Sequence, residues 1–394
     1  MLRKTRLFTP GPTPLLPAAQ AALASAAMHH RTAEFRELYA RVLADAQAFI
    51  GTRNDVVLFS ASGTGAMEAA VSNLTSPGDN VLVLSAGKFG ERWRDLARTY
   101  GCSLELVTAP YGQTFALEEV RRKLSPQVRA LYLQATESST GVRHDVEGVA
   151  RLLRGSDTLL VVDAITGLGT TLLDVDGWDI DVIIGGSQKA VMIPPGLAYC
   201  AVSERAWRRM EEARSPRYYF DLRQERRAAA KGESAFTPAT ALVAALAAAF
   251  DYIRQAGEGD LAAGRQALIA NAELAAEMTR AAALALGLKL FAASAPAAAL
   301  TAILPPAGMD AGSIVKEFRR QFGAVVANGQ GEMKGKLFRI AHLGYYDYLD
   351  TIAVLGALEQ VLAQVTAGVE LGAGLRAAQQ VYAQAEARAA AAAR

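Results

Sequence analysis

Lys189 lies in the segment DVIIGGSQKAVMIPPG, residues 181–196, just past a short apolar run that two glycines end. An amine at the end of a buried strand is desolvated, which disfavours its charged form and makes it a nucleophile suited to imine chemistry. A second candidate is Asp163, at the end of the apolar run TLLVV (158–162), where a carboxylate needs a partner. The two are 189 − 163 = 26 residues apart, one strand-to-strand step. A third is Ser62-Gly63-Thr64, a small-residue turn between DVVLF (55–59) and a helical pattern. Free N–H groups and the positive end of a helix suit such a turn to a phosphate. The glycine spacing fits neither a P-loop nor a dinucleotide fingerprint. Phe89, in AGKFGERW after the run at 80–84, is placed to lie on a flat ligand.

These residues share a position, the end of a strand. Strand-like runs recur at 55–59, 80–84, 103–108, 129–133, 158–162, 181–184 and 197–202, mostly separated by helical or turn segments. Several are apolar throughout, as strands covered on both faces are. In such sheets ligands bind beyond the carboxyl ends of the strands. Proline-rich 5–14 reads as an extended arm, Leu16 to Met28 as an alanine-rich helix, and Phe35 to Phe49 as an amphipathic one. Strands at 300–304, 323–328 and 336–344, with helices near 312–322 and 348–365, make a smaller unit. The alanine-rich stretch 371–394 is a strong helix former. The expected architecture is α/β: an arm at 1–18, a large domain at 19–256 built on a mainly parallel seven-stranded sheet, and a smaller C-terminal α/β domain at 257–394.

The 394 residues carry 41 basic and 39 acidic side chains, a balance that argues against nucleic-acid or membrane-surface partners. No apolar run is long enough to span a bilayer, and the reading is a cytoplasmic protein. Cys102 and Cys200 read as core filler, and no metal site is expected: His29 and His30 are adjacent and diverge. Arg31 is a candidate anion contact or a solvated loop residue.

A phosphate cradle, a flat group, a strand-end carboxylate and an amine together suit pyridoxal 5′-phosphate, whose ring nitrogen needs a negative partner to absorb carbanion charge. TPGPTP, FSASGTGAMEAAVSNLTSPGD, GKFGERW, TESSTGV, VVDAITGLG, GGSQKAVMIPPGLA, FTPAT and FRIAHLG follow in order over about residues 5–365. In these the chain resembles the class V, fold type I PLP-dependent aminotransferases of the alanine-glyoxylate and serine-glyoxylate (serine-pyruvate) group.

The resemblance implies that Lys189 carries the cofactor and moves the proton, while Asp163 meets the pyridine nitrogen and Ile165 lies under the ring opposite Phe89. It implies Ser62, Gly63, Thr64 and Gln188 at the phosphate and Ser138 near the ring hydroxyl and substrate. Arg339 in FRIAHLG would hold the substrate carboxylate, with Gly11 lining the pocket. Thr237 in FTPAT would reach the phosphate in the other subunit, since the family is a homodimer with shared active sites. Where the family often has an aromatic, three positions before Thr237, this chain has Ser234.

Ping-pong transfer from alanine or serine to glyoxylate or pyruvate is the implied reaction. Small neutral donors are favoured because no second cation for an acidic side chain stands out. The alternatives are an aminophosphonate transaminase, a cysteine desulfurase, for which VANGQGEMKG lacks the thiol, and a non-enzymatic partner subunit retaining the fold.

Overall fold

A computed structural model describes residues 2–25 and 28–392. Its main sheet has seven strands in the order Asp55–Phe59, Ala198–Val202, Val182–Gly186, Leu159–Asp163, Val128–Gln134, Asn80–Ser85 and Ser103–Thr108. Ala198–Val202 runs antiparallel to both neighbours, and the other pairs are parallel. The mainly parallel seven-stranded sheet expected from the apolar runs is therefore present.

The alternation of side chains explains why those runs are apolar throughout. Leu131, Leu133, Leu160, Val162 and Ile183 face one core, which includes the helices Ala33–Ile50 and Thr240–Ala256. Their neighbours Ala130, Tyr132, Leu159, Val161, Val182 and Ile184 face the other, with Gly63–Leu74, Lys88–Thr99 and Glu204–Glu212. Both faces are dry, so apolar residues fill both register positions until the strand ends. Ala33–Ile50 is bounded as its sequence dictates: the Thr32 side chain accepts from the Phe35 N–H, and Gly51 ends the helix at φ 76°.

The second sheet has five strands in the order Arg6–Phe8, Ala324–Asn328, Phe338–Ala341, Leu300–Leu304 and Lys289–Leu290. The proline-rich arm thus supplies an edge strand, parallel to Ala324–Asn328. Its only regular stretch lies before the first proline, where the backbone N–H is still available. The strand expected at 336–344 is only Phe338–Ala341, bounded by turn glycines at 335 and 344. The helix expected from Leu16 to Met28 is only Pro17–Leu23, its orphan carbonyls closed by the Ala24 N–H, and Met28 is not helical. Residues 26 and 27 lie outside the described residues. Ala373–Ala392, within the alanine-rich stretch, packs against Leu261–Ala285.

Candidate active site

The carboxyl ends of the central strands open into a cavity of about 170 Å³ lined by Gly11, Ser62, Gly63, Thr64, Phe89, Arg92, Thr136, Ser138, Asp163, Ile165, Thr166, Gln188 and Lys189. All the residues expected at the site except Thr237 and Arg339 line it. A larger groove of about 320 Å³ lies elsewhere, but its charges are matched internally, Arg53 with Asp176 and Arg205 with Asp181.

Each side chain is delivered by its element. Asp163 ends its strand paired between Gln134 and Ile184, and one carboxylate oxygen accepts the Ile165 N–H at 2.9 Å. Lys189 follows the adjacent strand Val182–Gly186, and its Nζ donates to the Pro10 carbonyl of the arm. Gly11, next in the arm, has φ 133°, and a Cβ there would lie 2.6 Å from Lys189 Nζ. The arm can pass over the lysine only as glycine.

Burial sets the titration of this pair. It pushes the Asp163 carboxyl up to about 6, against the Ile165 N–H and the charges of Arg92 and Lys189. It brings Lys189 down to about 8, with Arg339 and Arg92 adding to the effect and Asp163 opposing it. A lysine near 8 is part neutral at neutral pH and can exchange protons there.

Ser62 is the N-cap of Gly63–Leu74, and its hydroxyl makes no capping bond. Ser62, Gly63 and Thr64, at the N-terminus of that helix, line the cavity, where the free N–H groups of a helix start suit an anion. Arg92 stands beside Thr64. Its Nη1 donates to Thr64 Oγ1 at 3.1 Å, its guanidinium carbon stands 4.8 Å from the Phe89 ring centroid, and no carboxylate pairs with it among the described residues. A Cβ at Gly63 would fall 2.2 Å from Ile165 Cδ1, so the helix start and Ile165 meet closely at this glycine.

Arg339 lies behind the cavity wall, buried, on strand Phe338–Ala341. Nη1 donates to the Ser138 carbonyl at 2.6 Å, while Nε and Nη2 donate to the Asn328 carbonyl at 3.2 and 2.6 Å. One N–H on each terminal nitrogen is left for a ligand. Burial lowers its pKa to about 10, and Glu137 opposes that. Thr237 is exposed and away from this cavity. Ser234 is half-buried beside Ala235, whose N–H donates to Glu225 at 3.2 Å. Arg31 is near His29 and His30, also outside the cavity.

Arg92, Thr136 and Thr166 were not singled out from the sequence. Arg92 could have been: it is three residues after Phe89, hence on the same helix face.

The site fits pyridoxal phosphate on the chain's own terms. Gln188 Oε1 and Thr136 Oγ1 are buried without a partner, an expensive arrangement unless a ligand supplies one. Anion cradle, carboxylate and amine stand around the same space. The family profile described as "Aminotransferase class-V" matches residues 17–290. The chain belongs to the class-V aminotransferases. Members of that family use pyridoxal phosphate, and this aminotransferase is a PLP-dependent transaminase of fold type I.

The aminotransferase is 32% identical to the L-aspartate–glyoxylate aminotransferase of Paracoccus denitrificans over 398 residues, 99% of each chain. It is 37% identical over 370 residues to a Synechococcus protein named soluble hydrogenase, small subunit, covering 93% of this chain and 94% of that one. Among solved structures, a subgroup IV aspartate aminotransferase from Thermus thermophilus superposes with a TM-score of 0.85 at 33% identity, over 92% of this chain and 100% of that one.

Proposed function

We propose that the aminotransferase moves the amino group of a small neutral amino acid, alanine or serine, to glyoxylate or pyruvate in two half-reactions. The observation that carries this reading is the cavity itself: one partly neutral lysine, one buried carboxylate and, bonded to the carbonyl of the lining residue Ser138, a buried arginine with N–H groups to spare. Bound there, pyridoxal phosphate supplies an electron sink for the substrate carbanion. Ser62, Gly63, Thr64, Gln188 and Arg92 would hold its phosphate. Phe89 and Ile165 would clamp the ring, Ser138 would stand beside the ring hydroxyl, and Asp163 would face the pyridine nitrogen.

Lys189 would carry the cofactor, yield it to the incoming amine, and then take and return the proton at the substrate Cα. A pKa near 8 lets it do both. Arg339 would grip the α-carboxylate with its two remaining N–H groups, and Gly11 would leave room for a short side chain. The exposure of Thr237 is what a residue serving another subunit's site requires, and a homodimer with shared active sites is the reading adopted. We also read the protein as cytoplasmic. No helix among the described residues is long and apolar enough to cross a membrane.

Borohydride treatment of PLP-loaded protein should leave a pyridoxyl group on the Lys189 peptide, and an untagged peptide rejects the assignment. A panel of amino donors against glyoxylate and pyruvate then identifies the substrates. An acidic donor is the second reading. It is supported by the unpaired guanidinium of Arg92 in the cavity and by the aspartate named for two similar proteins. Turnover of aspartate without alanine or serine would replace the first reading by it.

A further inference from the structure

Glu137 lies in TESSTGV next to Ser138 and is not assigned a role by the proposed chemistry. It is fully buried. A carboxylate out of water is costly unless its lone pairs are used, and here four donors use them. One oxygen accepts the backbone N–H groups of Phe89 at 3.0 Å and Gly90 at 3.1 Å, at the positive end of helix Lys88–Thr99. The other accepts the Ser139 N–H at 3.2 Å and the Ser139 hydroxyl at 2.5 Å. Ser139 Oγ in turn accepts the Lys88 N–H at 3.2 Å. The helix that presents Phe89 is thus capped by a residue 48 positions away in sequence. The fit is close: a Cβ on Gly87 would stand 2.4 Å from the Glu137 carboxyl carbon.

The same turn reaches the second domain. Thr136–Glu137 pairs with Val142–Arg143, the Gly141 carbonyl accepts the Ala297 N–H at 2.8 Å, and Ser138 gives its carbonyl to Arg339. We propose that Glu137 is the positioning residue that sets Phe89, over the cofactor ring, relative to Arg339, at the substrate carboxylate. This rests on the transaminase reading of the site. One carboxylate holds both the helix start and the turn, so neither moves without the other. Loss of one of its acceptor oxygens must therefore disturb ring stacking and carboxylate binding together.

The test is Glu137→Gln, which keeps the shape but replaces one acceptor oxygen by an NH₂ group, set either against the N–H groups of Phe89 and Gly90 or against that of Ser139. Two binding readouts are measured on full-length protein: visible circular dichroism of bound PLP, which reports ring setting, and the inhibition constant of L-lactate, which has the carboxylate but no amine. The expected result is a dichroic band reduced by half or more together with a lactate constant raised at least tenfold. A lower melting temperature with both readouts at wild-type values assigns Glu137 to stability alone and overturns the proposal. Should Glu137→Gln not fold, Ser139→Ala decides: it removes the hydroxyl between Glu137 and Lys88, and both readouts should move in the same sense by about threefold, whereas no change overturns the proposal. Wild-type protein that binds neither PLP nor lactate would instead reject the transaminase reading itself.

Discussion

Arg339 and Ser138, 201 residues apart, are joined by a 2.6 Å hydrogen bond from the guanidinium to the backbone carbonyl. The bond runs from the five-stranded sheet to the turn after strand Val128–Gln134 of the seven-stranded one. It leaves Arg339 buried with a fixed fork, which lysine cannot imitate because an ammonium is a point donor. Arg339→Lys should therefore raise KM for the amino donor by roughly 10- to 100-fold, the range of a charge-assisted bidentate contact, with kcat changed less. Steady-state kinetics checks this, and an unchanged KM would remove Arg339 from the carboxylate.

Asp163 stands where a negative charge is hardest to keep, at the end of a buried strand, yet the pyridine nitrogen needs that charge. Asp163→Asn can keep the hydrogen bond to the Ile165 N–H, but it loses the charge and puts an NH₂ donor in place of the second acceptor oxygen. The expected result is a kcat lower by about two or more orders of magnitude with PLP still bound, read by single-turnover absorbance. Wild-type kcat in this variant would exclude the charge from the chemistry.

Much of this was legible because both-face burial writes long apolar runs, and strand ends are where those runs stop. Asp163 and Lys189 stood out as polar residues at such stops. Glu137 did not, since its partners are backbone N–H groups that leave no mark on a sequence, and a buried glutamate reads like a solvated one. Arg92 was less obvious, because an arginine in a polar helix reads as surface, and only its place three residues after Phe89 marks it. The parallel pairing of Arg6–Phe8 with Ala324–Asn328 depends on a contact more than 300 residues long, which no local pattern encodes. The Pro17–Leu23 helix came out shorter than its alanines suggest because propensity does not say where a chain must turn.

Lys189 should also show itself in stability without cofactor. Its folded pKa of about 8 lies below the usual 10.5, so between those values the unfolded chain binds more protons and stability rises with pH. Below pH 8 the full cost of the buried charge remains, about 3 kcal/mol. Lys189→Met removes that cost, and Asp163 loses only a minor supporting charge. The PLP-free variant should melt higher than PLP-free wild type at pH 7, with the gap closing toward pH 10.5. A gap independent of pH would mean that the lysine is neutral or solvated throughout.

Gly90 sets how closely the Phe89 helix approaches the sheet. A Cβ there would lie 2.6 Å from Ser85 Cα and 3.0 Å from the Leu84 carbonyl oxygen, both backbone atoms of strand Asn80–Ser85. Neither can rotate away, so Gly90→Ala must push the helix off. The expected cost is about 1–3 kcal/mol by denaturant unfolding, with weaker PLP binding because Phe89 moves too.

Arg92 is the last residue whose role can be separated by ligand choice. The cavity holds two cations, Arg92 and Lys189, and the lysine is held partly neutral. If Arg92 serves the phosphate beside Thr64, then Arg92→Gln should weaken PLP binding to the PLP-free protein by about tenfold and leave pyridoxal, which has no phosphate, unchanged. A fold defect would weaken both ligands alike. If Arg92 instead meets an acidic side chain, PLP affinity stays at the wild-type value while kcat/KM falls for aspartate and not for alanine. Fluorescence titration with the two aldehydes, followed by the two donors, therefore assigns the guanidinium to cofactor or substrate, and with it chooses between neutral and acidic donors.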